Sequence, residues 1–262
     1  MPNYKHITYA LADGIATLTM NRPEAMNGMT TRMLGETHDA LVEAARDPEV
    51  RVLVLTGAGS AFCPGADLKR ATRGVGDDEP DPPSLHQHYR VGVLLHEMPA
   101  ITVAAVNGAC AGAGFGWACG ADIRVASRAA MFSTAFLNVA VAGDMGIPWS
   151  LPRLVGVAKA RELSFLTEKF NAEEARRIGF VAKVWDDGDF RPEVAKLAAR
   201  LAGCSPMALR TMKAHYNAAE RMEYGDYVAL ETERHFRIVG SEDTREAFLA
   251  FVEKRAPRFS GR

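Results

Sequence analysis

Val103 to Ser127 reads VAAVNGACAGAGFGWACGADIRVAS, and Arg128 to Gly156 continues RAAMFSTAFLNVAVAGDMGIPWSLPRLVG. Val103 to Val106 is a short run of β-branched and small apolar residues that suits a strand covered on both faces, and Asn107-Gly108 ends it in a tight turn. Gly112-Ala113-Gly114 then allows the backbone to pass close to another group, and Phe115 to Cys119 reads as the first turns of a buried helix. The first amides of a helix lack internal partners and lie at its positive end, so they can face an oxygen that is becoming negative. An acid in apolar company, Asp144, stands among Val139, Ala140, Val141, Ala142, Met145 and Ile147.

Around this stretch lies a chain of 262 residues, 48% hydrophobic and 24% charged, enough for one large core with a helical tail. The formal net charge is -1 and no long basic run occurs, which argues against nucleic acid or an anionic membrane as a partner. The opening residues lack a basic region followed by an apolar core, and the most apolar stretch is interrupted by His96, Glu97, Pro99 and Asn107. A cytoplasmic protein is expected. Cys63, Cys110, Cys119 and Cys204 form no C-x-x-C pair, so reduced and mostly buried thiols are expected rather than disulfides or zinc ligands.

Towards the N-terminus, Ile7–Leu11 and Ile15–Met20 alternate around Ala12-Asp13-Gly14 as a hairpin does. Thr30 or Thr31 can cap a helix running to about Arg46, and Val50–Thr56 is a second buried strand. Residues 57–68 are rich in small residues and read as a loop entering a turn of helix. Their glycines fit a dinucleotide fingerprint poorly, since the third glycine is missing from its place. The acidic, Pro/Gly-rich segment 73–83 reads as a mobile surface loop. Ser84–Met98 reads as one helix leading to the strand at Val103, and this alternation suggests β-β-α units. After Ala158 helical spacing dominates, with Phe180–Val184 as a lone strand.

The segments NRPEAMN at Asn21, GSAFCPGADL at Gly59, AAVNGACAGAGF at Ala104, LPRLVG at Leu151, NAEEARRIGFVAKV at Asn171 and AFVEKR at Ala250 occur in order along nearly the whole chain. Together they resemble the crotonase superfamily, the enoyl-CoA hydratase/isomerase family. The resemblance implies an α/β fold: a crotonase-like spiral of β-β-α repeats over residues 1–200, and a C-terminal helical trimerisation region over 201–262. It also implies a coenzyme A thioester as substrate, no separate cofactor or metal, and a homotrimer or a hexamer of two trimers.

By motif match, the backbone amides of Ala66 and Ala113 are the two donors that hold the thioester oxygen as an enolate forms. Each such donor is worth roughly 3 kcal/mol in a water-poor site. By the same match, Arg22, Ala25, Gly65, Asp67, Leu68, Lys69 and Gly112 lie along the loops that cradle coenzyme A, with Arg70 beside them. Phe251 and Lys254 fall in a tail motif that reaches a neighbouring subunit's ligand. Hydratases of this family use two glutamates, whose places are held here by Gly116 and Phe136, so hydration by that pair is not expected. Asp144 is similar in position to the working aspartate of 1,2-epoxyphenylacetyl-CoA isomerases, to the nucleophile of 4-chlorobenzoyl-CoA dehalogenase and to one acid of the dienoyl-CoA isomerases.

Asp144 is therefore the expected acid/base, against the competing role of capping the helix near Ile147. Phe115, Trp117, Phe132, Phe136 and Trp149 suit either an aromatic acyl pocket or the core. His86 and His88 are expected on a surface or pocket wall, and Glu173-Glu174 and Glu231/Glu233 on solvated helix faces. The leading expectation is an acyl-CoA isomerase or related proton-transfer enzyme. The alternatives are a hydratase, an aspartate-based hydrolase or dehalogenase, and a silent acyl-CoA binder.

Overall fold

A computed structural model describes residues 4–68 and 85–262 of the chain. Strands β1 (Ile7–Ala12) and β2 (Ile15–Met20) form an antiparallel hairpin, with Ile7 opposite Met20 and Ala12 opposite Ile15. Asp13 and Gly14 both take positive φ at its turn, whose twist matches that of the flanking strands. Helix α1 (Thr31–Arg46) starts where the Thr30 hydroxyl accepts from Met33 N at 3.0 Å, and it buries Met33, Leu34, Leu41 and Ala44 along one face.

The strands that follow build two sheets. Strands β3 (Val52–Gly57), β5 (Ile101–Val106) and β7 (Ile123–Ser127) extend the hairpin in parallel, and β10 (Lys183–Trp185) completes a six-stranded sheet in the order β1-β2-β3-β5-β7-β10. Each of β3, β5 and β7 turns a tight corner into a three-residue strand of a second sheet. These are β4 (Ala61–Cys63), β6 (Ala109–Ala111) and β8 (Met131–Ser133), joined at the edge by β9 (Phe170–Asn171). The repeating β-β-α spiral is thus present. The corners nest closely: a side-chain carbon at Gly57 or Gly108 would collide with the Ala61 or Ser60 carbonyl.

Several elements depart from the reading of the sequence. Residues 57–68, expected as loop, contain β4. The single helix expected over Ser84–Met98 is two, α2 (Leu85–His88) and α3 (Val91–Glu97), broken at Tyr89-Arg90; Ser84 lies outside the described residues. The strand expected over Phe180–Val184 is β10, shifted towards the C-terminus, and it pairs with β7 rather than standing alone. The acidic segment 73–83 lies outside the described residues.

The main core lies between the sheets and the helices α1, α3, α4 (Gly112–Gly120) and α5 (Ile147–Val155). Phe115 stacks on Phe180 with ring centres 4.6 Å apart, and Phe132 stacks on Phe170 at 5.4 Å. The two pairs meet edge to face, an arrangement aromatic quadrupoles favour. Helices α6 (Val157–Leu166) and α7 (Ala172–Arg177) flank this cluster. Helix α8 (Asp187–Ala202) covers the outer face of the large sheet, setting Phe190, Ala198 and Ala202 against Val52, Val54, Val103 and Val125.

Three helices close the chain: α9 (Pro206–Ala219), α10 (Tyr224–Val239) and α11 (Glu242–Glu253). Buried Lys213 ties α9 to the core, donating to Leu95 O and Ala100 O, both at 3.0 Å, and to Asp122 Oδ2 at 2.7 Å. Phe236, Phe248, Phe251 and Val252 stand exposed on α10 and α11. No described helix is long and apolar enough to cross a membrane.

Candidate active site

Two loops meet at glycines. Gly65 takes φ 99° and Gly112 φ 51°, both in the left-handed region that favours glycine. A side-chain carbon at Gly65 would lie 3.2 Å from Ala111 O and 3.6 Å from Ala113 N, and one at Gly112 would lie 3.6 Å from Gly65 Cα. The two segments therefore face each other backbone to backbone, carrying Ala66 and Ala113 side by side. Gly114 completes the approach, because any side chain there would strike the Cys63 carbonyl.

Neither the Ala66 nor the Ala113 amide donates a hydrogen bond within the described residues. The Ala113 amide lies in the first turn of α4, whose preceding residue Ala111 offers no side-chain cap, so the helix leaves this donor free at its positive end. Ala66 is exposed, and its neighbours are pinned: Met29 N donates to Gly65 O at 2.8 Å, and Asp67 N donates to Met29 O at 3.0 Å. Two unsatisfied, fixed amides on adjoining loops can bind one oxyanion.

One turn further along α4 stands Gly116, and Met145 covers it. A side-chain carbon at Gly116 would lie 2.5 Å from Met145 Cβ. This packing brings the loop 140–146, and Asp144 with it, down onto the helix that carries Ala113. The Asp144 carboxylate is half-buried, accepts from Met145 N at 2.7 Å, and has no cationic partner among the described residues. Burial holds its pKa above the ordinary carboxylate value, and the Met145 amide only partly opposes this. The capping alternative is not what the geometry shows: α5 has no side-chain cap, and only the Asp144 carbonyl reaches it, accepting from Ile147 N at 3.2 Å.

Other expected site residues divide. Arg22, Ala25, Gly65, Asp67 and Gly112 gather around Ala66 and Ala113, and Leu68 is exposed beside them. Arg22 does not offer a bare cation, since Nη1 and Nη2 both reach Asp67 Oδ2 at 3.1 Å. Lys69 and Arg70 lie outside the described residues. Phe136 opens the short turn Phe136–Val139 and packs on the main core, and its carbonyl accepts from Val141 N at the start of the Asp144 loop. Phe251, 86% exposed, and Lys254 lie at the end of α11 in the C-terminal layer. Phe115, Trp117 and Phe132 are fully buried in the core.

Trp149 lines a groove of about 720 Å³ between α3, α5, α9 and the C-terminal end of α4, and Met145 and Gly146, which follow Asp144, line it as well. There the Arg153 guanidinium sits 3.9 Å over the indole, and His96 meets it edge-on. His86 is exposed, whereas His88 is buried and approaches His38 and Asp39 on α1, not His86. Glu173 and Glu174 pair with Arg128 and Arg177, Glu233 pairs with Arg237, and Glu231 accepts from Tyr227, as solvated faces do. Cys63, Cys110 and Cys119 are buried free thiols, and burial pushes Cys63 and Cys119 up to about 12, too high for a nucleophile.

Residues that sequence reasoning did not assign complete the site. Met29 pins Gly65, Met145 fills the space above Gly116, and buried Asn27 knots the first loop, accepting from Arg22 N and donating to Ala58 O and Ala61 O. Asn27 sits within the quoted NRPEAMN segment, whereas Met29 and Met145 carry no signal beyond their apolarity.

The enoyl-CoA hydratase/isomerase family model matches residues 11–262. A Rhodobacter capsulatus protein named a probable enoyl-CoA hydratase is 37% identical over 262 residues, covering 99% of this chain and 100% of its own. The 1,2-epoxyphenylacetyl-CoA isomerase of Escherichia coli is 37% identical over 254 residues, covering 95% of this chain and 96% of its own. Among solved structures, an enoyl-CoA hydratase from Bacillus anthracis superposes with a TM-score of 0.90 at 27% identity, covering 98% of this chain and 100% of the other.

Proposed function

Because the chain belongs to the enoyl-CoA hydratase/isomerase family, we propose that it is an acyl-CoA isomerase or related proton-transfer enzyme. The substrate is a coenzyme A thioester. Its carbonyl oxygen accepts from the amides of Ala66 and Ala113, which stabilise the enolate formed when a neighbouring carbon loses a proton. Asp144 takes that proton and returns it at another carbon, so the reaction shifts a double bond without net uptake of water. Ala25, Leu68 and Lys69 flank the bound coenzyme A, and a neighbouring protomer's Phe251 and Lys254 close over it in a trimer or hexamer.

The observation that carries this reading is the Asp144 loop. Its carboxylate follows the chain to Met145, which packs on α4 one turn from Ala113 and fills the space over Gly116 where a hydratase of this family places a glutamate. Relatives of equal identity are named hydratase and isomerase, so the preference for an isomerase rests on the chemistry proposed for Asp144 and not on likeness. The test is to incubate 3-enoyl and cyclic unsaturated acyl-CoA thioesters with the protein in deuterated water. Double-bond shift or deuterium incorporation that depends on Asp144 supports the reading, whereas vigorous hydration of crotonyl-CoA overturns it.

A further inference from the structure

We infer that Arg22 is not a ligand for the coenzyme A phosphates but the head of a hydrogen-bonded relay that orients and polarises the Ala66 amide. The inference rests on the oxyanion role proposed for that amide. A peptide unit is planar, with its C=O and N–H pointing in opposite directions, so whatever holds one end aims the other. Arg22 Nη1 donates to Gly28 O at 2.6 Å. The other end of that same peptide is the Met29 N–H, which donates to Gly65 O at 2.8 Å. The other end of the Gly65–Ala66 peptide is the Ala66 N–H.

One guanidinium, two peptide units and the ligand oxygen therefore lie in a single donor-to-acceptor series. A cation donating to the first carbonyl withdraws electron density from each N–H in turn, since hydrogen bonds in series strengthen one another. Asp67 fixes the cation at its post, with both guanidinium nitrogens 3.1 Å from Oδ2 and the two side chains only 15% and 16% exposed. The Arg22 backbone is held as well, its N–H donating to Asn27 Oδ1 at 2.9 Å. Arg22 and Asp67 are thus positioning residues, two peptides removed from the substrate.

Three variants test this: Arg22→Met, Arg22→Lys and Asp67→Asn. The first readout needs no ligand: base-catalysed water exchange of the Ala66 amide, measured by NMR on protein labelled with 15N-alanine. A less polarised N–H is less acidic, so Arg22→Met slows this exchange several-fold and leaves Ala113 unchanged. Exchange that is unchanged or faster overturns the relay. The second readout is exchange of the α-proton of phenylacetyl-CoA in deuterated water. Arg22→Met lowers kcat roughly tenfold with KM little changed, less than the hundredfold or more for deleting a donor outright, and Arg22→Lys recovers part of it.

Asp67→Asn separates the two roles by sign. In the relay it lowers kcat, whereas a phosphate-binding Arg22 released from its carboxylate would lower KM. Lower KM in Asp67→Asn, or higher KM at constant kcat in Arg22→Met, overturns the inference. If the wild-type protein neither binds nor exchanges any acyl-CoA, the oxyanion reading fails by itself, and the amide-exchange result still decides whether the relay exists.

Discussion

Met145 Cβ stands where a side chain at position 116 would begin, 2.5 Å from an added carbon. A glutamate cannot be restored at Gly116 without expelling the loop that holds Asp144. Gly116→Glu therefore costs about 1–3 kcal/mol by overpacking and does not create a hydratase. Chemical denaturation and a crotonyl-CoA hydration assay check both halves. A stable variant with new hydratase activity would show that the loop is looser than its packing implies.

Asp144→Asn keeps the size and hydrogen bonding of the side chain but cannot accept a proton. The exchange or isomerisation rate falls by roughly a hundredfold or more, as expected for loss of a general base, while acyl-CoA binding persists. In the wild type the rate rises with pH as the carboxylate ionises, with an inflection above the ordinary 3.8. A pH–rate profile shows this limb, and Asp144→Asn abolishes it.

The same carboxylate makes a prediction about stability. Its folded pKa is raised, so between the ordinary value and the folded value the native state binds more protons than the unfolded state. Stability falls as pH rises through that window, and at neutral pH the ionised group is a burden. Asp144→Asn should thus raise the melting temperature at pH 7 and lose this advantage in acid. A helix cap would behave in the opposite way, losing stability when changed.

How far the sequence could be read depended on what kind of contact carried each feature. The hairpin, α1 with its Thr30 cap and the C-terminal helices announced themselves through local period and capping. The three-residue strands β4, β6 and β8 did not, because alternation cannot show in so short a run and the strands exist through pairing with one another. Residues at the site followed the same division. Gly65, Gly112 and Asp144 stood out by residue type, whereas the covering of Gly116 by Met145 and the capture of Arg22 by Asp67 are contacts between distant segments. Trp149 suited either an acyl pocket or the core by its character, and the fold sets it in a groove that Met145 and Gly146 also line.

Lys213 is the structural test of the C-terminal layer. Its ammonium is buried and held by Leu95 O, Ala100 O and Asp122. Lys213→Ala takes the cation from the Asp122 carboxylate, which keeps only Thr102 as a donor among the described residues, and should cost about 3 kcal/mol or more. Urea denaturation measures it, and a loss below half that figure would mean that water replaces the ammonium.

Exposed Phe236, Phe248, Phe251 and Val252 leave α10 and α11 with apolar side chains turned to solvent in a single protomer. Light scattering at micromolar concentration should give a trimer or hexamer, and a monomer would count against it. Lys254→Ala should weaken acyl-CoA binding in calorimetry without changing the melting temperature.

The paired strands β4 and β6 act as a gauge for the chemistry. Ala66 lies three residues past the end of β4 and Ala113 two past the end of β6, and the strands are hydrogen-bonded neighbours. Adjacent strands in any sheet stand about 4.8 Å apart, a distance set by the peptide hydrogen bond rather than by side chains. The two segments that carry the amides therefore leave the sheet as neighbours. Substitution can alter what surrounds the oxygen proposed to bind there, but the strand pairing that sets the two amides side by side is as resistant to sequence drift as the backbone itself.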